Sequence, residues 1–141
     1  EPGEIDLQAG TWTVPGSRMK AKVEHTIPLP TPALALAKLR MKRALLFPND
    51  VTGDPLSENA MLALLKRMGF GHITVHGFRS TFKDWAGETT DFPDDLSEAA
   101  LAHRIRDKSK AAYKRGTMLE KRRVLMETWA DYCKAAGKKP T

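Results

Sequence analysis

Four polar side chains stand out in the sequence as candidates for chemistry: His76, Arg79, His103 and Tyr113. His76 and Arg79 are three residues apart, a spacing that brings side chains together at the start of a helix. Arginine carries a planar fork of N–H donors that suits a phosphate group. Each feature is weak alone, because a hydrogen bond in the core explains such a pair or a lone histidine more often than function does. A lone tyrosine is likewise more often an amphipathic residue on a helix flank.

Positive charge is concentrated in one segment of the chain. The whole sequence has a formal net charge of +6. The 21 residues from His103 to Arg123 hold nine lysines and arginines against two acidic residues. Such a segment can neutralise nucleic-acid phosphates and release their counterions. A solvated helix face would carry the same charge, so charge alone leaves both interpretations open.

Length and composition indicate one soluble globular domain. The chain has 141 residues, of which 41% are hydrophobic and 28% charged, the balance of an ordered protein. Its apolar runs, such as Ala33–Ala37, are far shorter than the roughly 20 residues of a membrane span, and no signal segment opens the chain. The single cysteine, Cys133, excludes an internal disulfide. We therefore expect a cytoplasmic protein, and a start at Glu1 without methionine predicts a piece of a longer one.

The first thirty residues predict a small antiparallel sheet. Thr11–Pro15 and His25–Leu29 are rich in the β-branched and aromatic residues that favour strands. The basic segment Gly16–Lys20 between them predicts a hairpin with cations near its tip. Ile5–Leu7 predicts a preceding strand.

Two helices are predicted next. Thr31-Pro32 is typical of a helix start, with Thr31 as the cap and proline at the first position. This helix should run to about Arg43 and bury Leu34, Leu36 and Leu39. After a loop over 47–55, Ser57 should cap a second helix that ends near Gly69. The apolar face of the second helix comprises Met61, Leu64, Leu65 and Met68.

Three further helices should position the candidates. Arg79 lies in a segment where apolar residues recur at helical spacing, namely Phe78, Phe82 and Trp85 or Ala86. Pro93 opens a short helix that ends near His103. A capping box of Thr117 and Glu120 predicts the start of a last helix, whose apolar stripe is Met118, Leu125, Trp129 and Tyr132.

The order and spacing of the four candidates resemble one family. His76-x-x-Arg79 is followed 24 residues later by Leu-Ala-His103, and after ten more by Tyr113. This is the motif order of the tyrosine recombinase (phage integrase) family. The surrounding sequence resembles the same family over essentially all of the chain, and it is closest to integrases of prophages and genomic islands. The stretches that carry this resemblance are HGFRSTFKDWA, LAHRIRDKSKAAYKRG, LEKRRVLMETWADYC and TWTVPGSRMKAKVEHTIPL. The resemblance implies an α+β, mainly helical fold, in which a small antiparallel β-hairpin or three-stranded sheet packs on a helical body.

The resemblance also implies a role for each candidate. Tyr113 would be the nucleophile that attacks a scissile DNA phosphate and becomes attached through a 3′-phosphotyrosyl bond. Arg79 would be the second of two arginines that hold the non-bridging phosphate oxygens, and His103 would hydrogen-bond the same phosphate. His76 occupies the place of an acid–base partner of the tyrosine.

The hairpin is implied to supply a catalytic lysine. Lys20 would protonate the departing 5′-oxygen, and Lys22 remains the alternative. The implied partner is double-stranded DNA at attachment sites, on which the full-length protein would assemble as a tetramer. DNA contacts are expected from Arg18, Lys22, Arg104, Arg106, Lys108, Lys114 and Arg115.

Elementary chemistry agrees with these residue types. A phenol with a pKa near 10 is only about one part in a thousand ionised at pH 7, so cations and a base must assist it. Fixed arginine, lysine and histidine donors stabilise the charge that accumulates on phosphorus. Protein cations in this role need no metal. Because a phosphotyrosine preserves the ester energy, we expect no cofactor and no ATP.

One part of the family's catalytic set is not in this sequence. The family's first catalytic arginine lies upstream of the segment that resembles Glu4–Leu7, and no arginine precedes Arg18 here. The family's N-terminal arm and core-binding domain are missing from this sequence as well. We therefore expect residues 1–141 to be a C-terminal catalytic domain fragment of an integrase, impaired or inactive by itself.

Three other functions fit parts of the sequence. A non-catalytic DNA-binding module explains the basic segment but gives no use to the four ordered candidates. DNA relaxation of the type IB topoisomerase kind shares the active-site chemistry and differs in needing no specific DNA sequence. A metal hydrolase that uses His72 and His76 lacks a carboxylate to complete its ligand set. His25 and His72 are expected to be structural or solvent-exposed.

Overall fold

The computed structural model describes residues 1–103 and 118–137. Its three short strands form an antiparallel sheet in the order β1-β2-β3, with β1 at Ile5–Asp6, β2 at Thr11–Val14 and β3 at His25–Pro28. The β2–β3 pairing runs from Val14 opposite His25 to Thr11 opposite Pro28. The predicted hairpin and the strand before it are confirmed.

Helices make up most of the rest of the described chain. They are α1 (Thr31–Arg40), α2 (Ala60–Arg67), α3 (Gly77–Thr89), α4 (Asp94–Ala100) and α5 (Met118–Ala136). The predicted α+β, mainly helical class is confirmed. None of these described helices combines the length and the apolar character that a membrane span requires. Outside the described residues lie Tyr113, Thr117 and the predicted DNA contacts Arg104, Arg106, Lys108, Lys114 and Arg115.

The core lies where α3, α4 and α5 meet. Phe82, Trp85 and Ala86 of α3 pack with Leu96 of α4 around Leu125 of α5, which has no exposed surface. Partly buried aromatic rings extend this core, because the ring centroid of Trp129 lies 4.9 Å from that of Trp85 and 5.5 Å from that of Phe82. The stripes predicted for α3 and α5 therefore hold these helices together through Phe82, Trp85 and Leu125. Phe78, the first residue predicted for the α3 stripe, is instead 54% exposed.

The last helix also contacts the sheet. Arg123 donates from Nη1 to the carbonyl of Gly10 at 3.3 Å and from Nη2 to the carbonyl of Ala9 at 3.1 Å. Gly10 has φ +64°, and a Cβ built on it would lie 3.2 Å from Nη1 of Arg123. A glycine is needed here both for its backbone conformation and for the close approach of the guanidinium.

The burial predicted for α1 is wrong. This helix ends at Arg40 rather than near Arg43, and Ala37 is its buried residue. Leu36 is 43% exposed and Leu39 is 82% exposed. Residues two apart lie roughly 200° apart around a helix, so Leu34 and Leu36 cannot share one buried face.

The start predicted for α2 is also wrong in detail. The helix begins at Ala60, and Ser57 contributes its backbone carbonyl to the amide of Ala60 at 3.0 Å rather than a side-chain cap. Of the predicted apolar face, Leu65 is buried, whereas Met61, Leu64 and Met68 are exposed. The predicted stop is confirmed, because Gly69 follows the helix with φ +84°, a conformation that ends helices.

Candidate active site

Two helices bring Arg79 and His103 together. Arg79 lies in the first turn of α3, and His103 follows the end of α4. Nη2 of Arg79 lies 3.0 Å from Nε2 of His103 and donates to the carbonyl of Leu101 at 2.7 Å. Both side chains are exposed. Two candidates that are 24 residues apart in sequence thus form one accessible basic pair.

The backbone at the end of α4 turns His103 back towards its own helix. Ala102 has φ +56°, in the left-handed region. The amide of His103 donates to the carbonyl of Glu98 at 3.0 Å, and that of Ala102 donates to Ala99 at 3.2 Å. This pair of bonds is the Schellman motif that commonly ends helices. The motif stops the chain from continuing along the axis of α4 and holds the histidine close to α3.

The side chain of Glu98 links His103 to α3. Its Oε2 lies 2.6 Å from Nδ1 of His103, and its Oε1 lies 2.7 Å from Nζ of Lys83. Lys83 also donates to Oγ of Ser97 at 2.9 Å and is ion-paired with Asp94. The hydrogen bond from Lys83, with that of His103, lowers the pKa of the Glu98 carboxyl group. Glu98 is therefore an ionised acceptor against the histidine ring.

His76 occupies the N-terminal end of the helix that carries Arg79. It is the N-cap residue of α3 and is exposed. Its carbonyl accepts the amide of Arg79 at 3.0 Å, and Oγ1 of Thr74 accepts the amide of Gly77 at 3.1 Å. The structure thus places His76 one helical turn from Arg79, without a side-chain hydrogen bond between the two among the described residues.

The hairpin lysines lie in the loop between β2 and β3. Lys20 and Lys22 are both exposed, and the amide of Lys22 donates to the carbonyl of Met19 at 2.9 Å. Within the part of the chain that the structure describes, no hydrogen bond joins either lysine to Arg79 or His103. The choice between them remains a prediction. Arg18, at the start of the same loop, is ion-paired with Glu4.

A second group of basic side chains was not predicted as part of the site. Arg122 of α5 is buried, and its Nε, like Nε2 of His25 in β3, is buried without a hydrogen-bond partner. Burial lowers the pKa of His25, and the positive charges of Arg122 and Arg79 lower it further. No carboxylate of the described residues is paired with Arg122. This concentration of positive charge favours an anion.

These unpredicted residues carry little sequence signal. Arg122 was one of many cations in the basic segment, and His25 was expected to be structural or exposed. Glu98 lies five residues before His103, a spacing that places it on the same side only because Ala102 reverses the backbone. An acidic residue just before the Leu-Ala-His motif is the one clue that the sequence offered.

The other histidine, His72, is exposed and lies beside Phe70, with ring centroids 6.4 Å apart. Across residues 1–103 and 118–137, no three histidine, cysteine or acidic side chains are grouped as metal ligands would be.

A basic pair on two helix ends, in a domain whose β-hairpin carries exposed lysines, agrees with the family indicated by the motifs. The chain matches the phage integrase family over residues 2–113, and it belongs to that family of tyrosine recombinases. The predicted family is confirmed.

Particular relatives support the same assignment. The chain is 40% identical to prophage integrase IntA of Escherichia coli (strain K12), over 94% of this chain and 33% of the relative. It is 34% identical to prophage integrase IntZ of the same strain, over 90% of this chain and 33% of the relative. It is 32% identical to the integrase of Enterobacteria phage P4, over 92% and 34% respectively. The chain thus spans about a third of the length of these relatives. No solved structure is significantly similar to it.

Proposed function

We propose that this chain is the catalytic part of a site-specific DNA recombinase, which integrates DNA by cutting and rejoining strands through a 3′-phosphotyrosyl intermediate. The observation that carries the proposal is the exposed Arg79–His103 pair, with 3.0 Å between Nη2 and Nε2. Membership of the phage integrase family supports the same reaction.

The pair provides the charge that a phosphate needs. The two described contacts of Arg79 both use Nη2. The guanidinium has further N–H donors on Nη1 and Nε with which to hold non-bridging oxygens. Arg122 adds a buried positive charge, which acts on His25 together with that of Arg79. Such fixed donors stabilise the additional negative charge of a pentacoordinate phosphorus without reorganising.

The remaining roles follow from the family. Tyr113, ten residues after His103, attacks the phosphorus, and the 3′-phosphate becomes bonded to its phenol oxygen while the 5′-oxygen leaves with a proton. Lys20, or Lys22 in its place, supplies that proton from the hairpin. His76 acts as acid–base partner of the tyrosine.

We also propose that these residues are part of a longer protein. The relatives are about three times as long as the matched segment. The upstream part would supply the first arginine of the pair and the domains that complete a clamp around double-stranded DNA. Recombination between two duplexes would use a tetramer of that protein in the cytoplasm.

A suicide substrate tests the reaction. The full-length parent is incubated with a duplex from the boundary of its genetic element, nicked near the cleavage point so that religation fails, and covalent protein–DNA adduct is measured on denaturing gels. Tyr113→Phe should abolish the adduct and leave DNA binding nearly intact, because the phenol oxygen is the attacking atom. Arg79→Ala should slow adduct formation by about a hundred- to a thousandfold.

The chain provides a matched control, because its second tyrosine, Tyr132, lies on α5 against the ring of Trp129 at 5.5 Å. Tyr132→Phe should form the adduct at the wild-type rate. An adduct that persists in Tyr113→Phe would overturn the assignment of the nucleophile. Binding without any adduct in the wild type would favour a non-catalytic DNA-binding module. Relaxation of plasmids that lack the boundary sequence would favour a topoisomerase.

A further inference from the structure

We infer that Glu98 is the positioning residue of the phosphate site: its carboxylate fixes which nitrogen of His103 carries the proton and supports the ring when an anion makes it take up a second one. The role in catalysis rests on the proposed function. The tautomer and the proton uptake are properties of the chain itself.

The hydrogen-bond partners determine the tautomer. An ionised carboxylate can only accept, and Lys83 on the other oxygen of Glu98, at 2.7 Å, favours that ionised form. Nδ1 of His103, 2.6 Å from Oε2, must therefore carry the hydrogen. In the neutral ring this leaves a lone pair on Nε2, which accepts the N–H from Nη2 of Arg79 at 3.0 Å.

A phosphate oxygen changes the requirement at Nε2. In the tautomer that Glu98 selects, Nε2 has no hydrogen to donate to an oxygen. To bind one it must take a proton from solvent, and the N–H groups of His103 and Arg79 then face each other as two donors. An anionic oxygen that accepts from both removes this conflict, and the adjacent carboxylate offsets the new charge on the ring. Binding of the anion is therefore coupled to uptake of one proton.

Glu98 is well placed to control this proton. The titratable and charged groups linked to this ring directly or through a partner are Glu98 and Asp94 on α4, Arg79 and Lys83 on α3, Arg122 on α5 and His25 on β3. Glu98 and Arg79 contact the ring itself, Asp94 is linked through Lys83, and Arg122 is linked through His25, whose pKa it lowers together with Arg79. Of the two carboxylates, that of Glu98 is hydrogen-bonded to the ring, whereas that of Asp94 pairs with Lys83. Removing the Glu98 charge should therefore leave a second proton on the ring without its hydrogen-bonded anion.

Side-chain variants at position 98 leave the backbone contacts in place. The carbonyl of Glu98 accepts the amide of His103 at 3.0 Å whatever the side chain is. Glu98→Gln keeps the shape and an acceptor oxygen but removes the charge, and Glu98→Ala removes both. The matched control is Glu88→Gln, the same change at an exposed position of α3.

The first measurement is made on the 141-residue chain with ¹⁵N-labelled histidine. Long-range ¹H–¹⁵N spectra at neutral to alkaline pH should show Nδ1 protonated and Nε2 bare in His103, and Glu98→Ala should lose this preference. Sulfate, titrated as the anion probe, should bind up to tenfold more weakly for each pH unit above the ring's transition. Glu98→Gln should weaken sulfate binding at pH 6 and move this dependence to lower pH, whereas Glu88→Gln should match the wild type.

The second measurement is the pH profile of adduct formation by the full-length parent. In Glu98→Gln the rate of adduct formation should begin to fall at a lower pH than in the wild type, and the affinity for DNA should be nearly unchanged. A wild-type His103 with hydrogen on Nε2, or sulfate binding with the same pH dependence in Glu98→Gln, would overturn the inference. If the wild type forms no adduct but the histidine spectra are as expected, the proposed function fails and the role of Glu98 in proton uptake stands.

Discussion

Glu127 of α5 accepts hydrogen bonds from both the amide and the hydroxyl of Thr31, at 2.6 Å and 2.8 Å, across 96 residues of sequence. The first helix is therefore capped by the last one rather than by its own threonine. Together with the contacts of Arg123 to Ala9 and Gly10, this fixes α5 against the beginning of its own chain. The segment after the predicted nucleophile is thus part of the domain's framework.

Removing this cap should destabilise the whole domain. Glu127→Ala deletes two charge-assisted hydrogen bonds and should lower the free energy of unfolding by about 1–2 kcal/mol, measured by urea titration with tryptophan fluorescence. Asp131→Ala, at an exposed site of the same helix, is the control and should stay within about 0.5 kcal/mol of the wild type. Equal effects of the two variants would show that the cap contributes nothing.

The left-handed conformation of Ala102 should make glycine the better residue at that position. Ala102 has φ +56°, and the strain of a Cβ there is worth on the order of 1 kcal/mol. Ala102→Gly should therefore raise the free energy of unfolding by roughly that amount. Ala99→Gly, inside α4, should lower it by about 1 kcal/mol. Two changes of the same sign, in thermal or urea unfolding, would contradict the Schellman geometry.

The lowered pKa of Glu98 predicts an acid-sensitive stability. Lys83 and His103 favour the charged form, so the folded chain binds this proton more weakly than the unfolded chain, whose carboxyl titrates near 4.5. The resulting stability is present above that value and is lost as pH falls through the lower, folded pKa. Between about pH 5 and pH 3, wild-type unfolding free energy should therefore fall more steeply than that of Glu98→Gln or Lys83→Met. Equal slopes in all three proteins would rule out this linkage.

The basic segment predicts salt-sensitive binding to DNA. Each phosphate that a lysine or arginine neutralises contributes about 0.9 to the slope of log affinity against log salt. Fluorescence anisotropy with a duplex should show affinity falling steeply with salt, and Lys108→Gln should reduce the slope by about one contact. Lys134→Gln, at an exposed position of α5 outside the basic segment, serves as the control. A salt-independent affinity would count against a phosphate-binding segment.

Much of the local structure could be predicted because it depends on local chemistry. The strands around the hairpin loop, the stop at Gly69 and the short helix after Pro93 follow from β-branched residues, glycine and proline acting within a few residues. The stripes of α3 and α5 follow from helical periodicity, which reports the buried face directly. In α1, Leu36 and Leu39 are at helical spacing, yet the helix buries Ala37 and leaves both leucines exposed. Which face packs on the domain is a tertiary choice that the local pattern does not report.

The site was predictable in its residue types but not in its connections. The order of His76, Arg79 and His103 indicated the family, yet the bridge from Lys83 through Glu98 to His103 depends on the backbone reversal at Ala102. Nothing in the residue pattern reports a positive φ at an alanine. Arg122 and His25 come together through the docking of α5 on β3, a tertiary contact that local patterns do not reveal.

The contacts of α5 also determine when the domain can be finished during synthesis. Its hydrogen bonds reach back 96 residues to Thr31 and 114 residues to Ala9. Synthesis proceeds at roughly 5–20 residues per second, so the sheet is made about 5–20 s before the helix that packs against it. Leu125, at the centre of the core around α3 and α4, emerges after Tyr113. A nascent chain therefore completes the core that carries Arg79 and His103 only once Tyr113 has already been made.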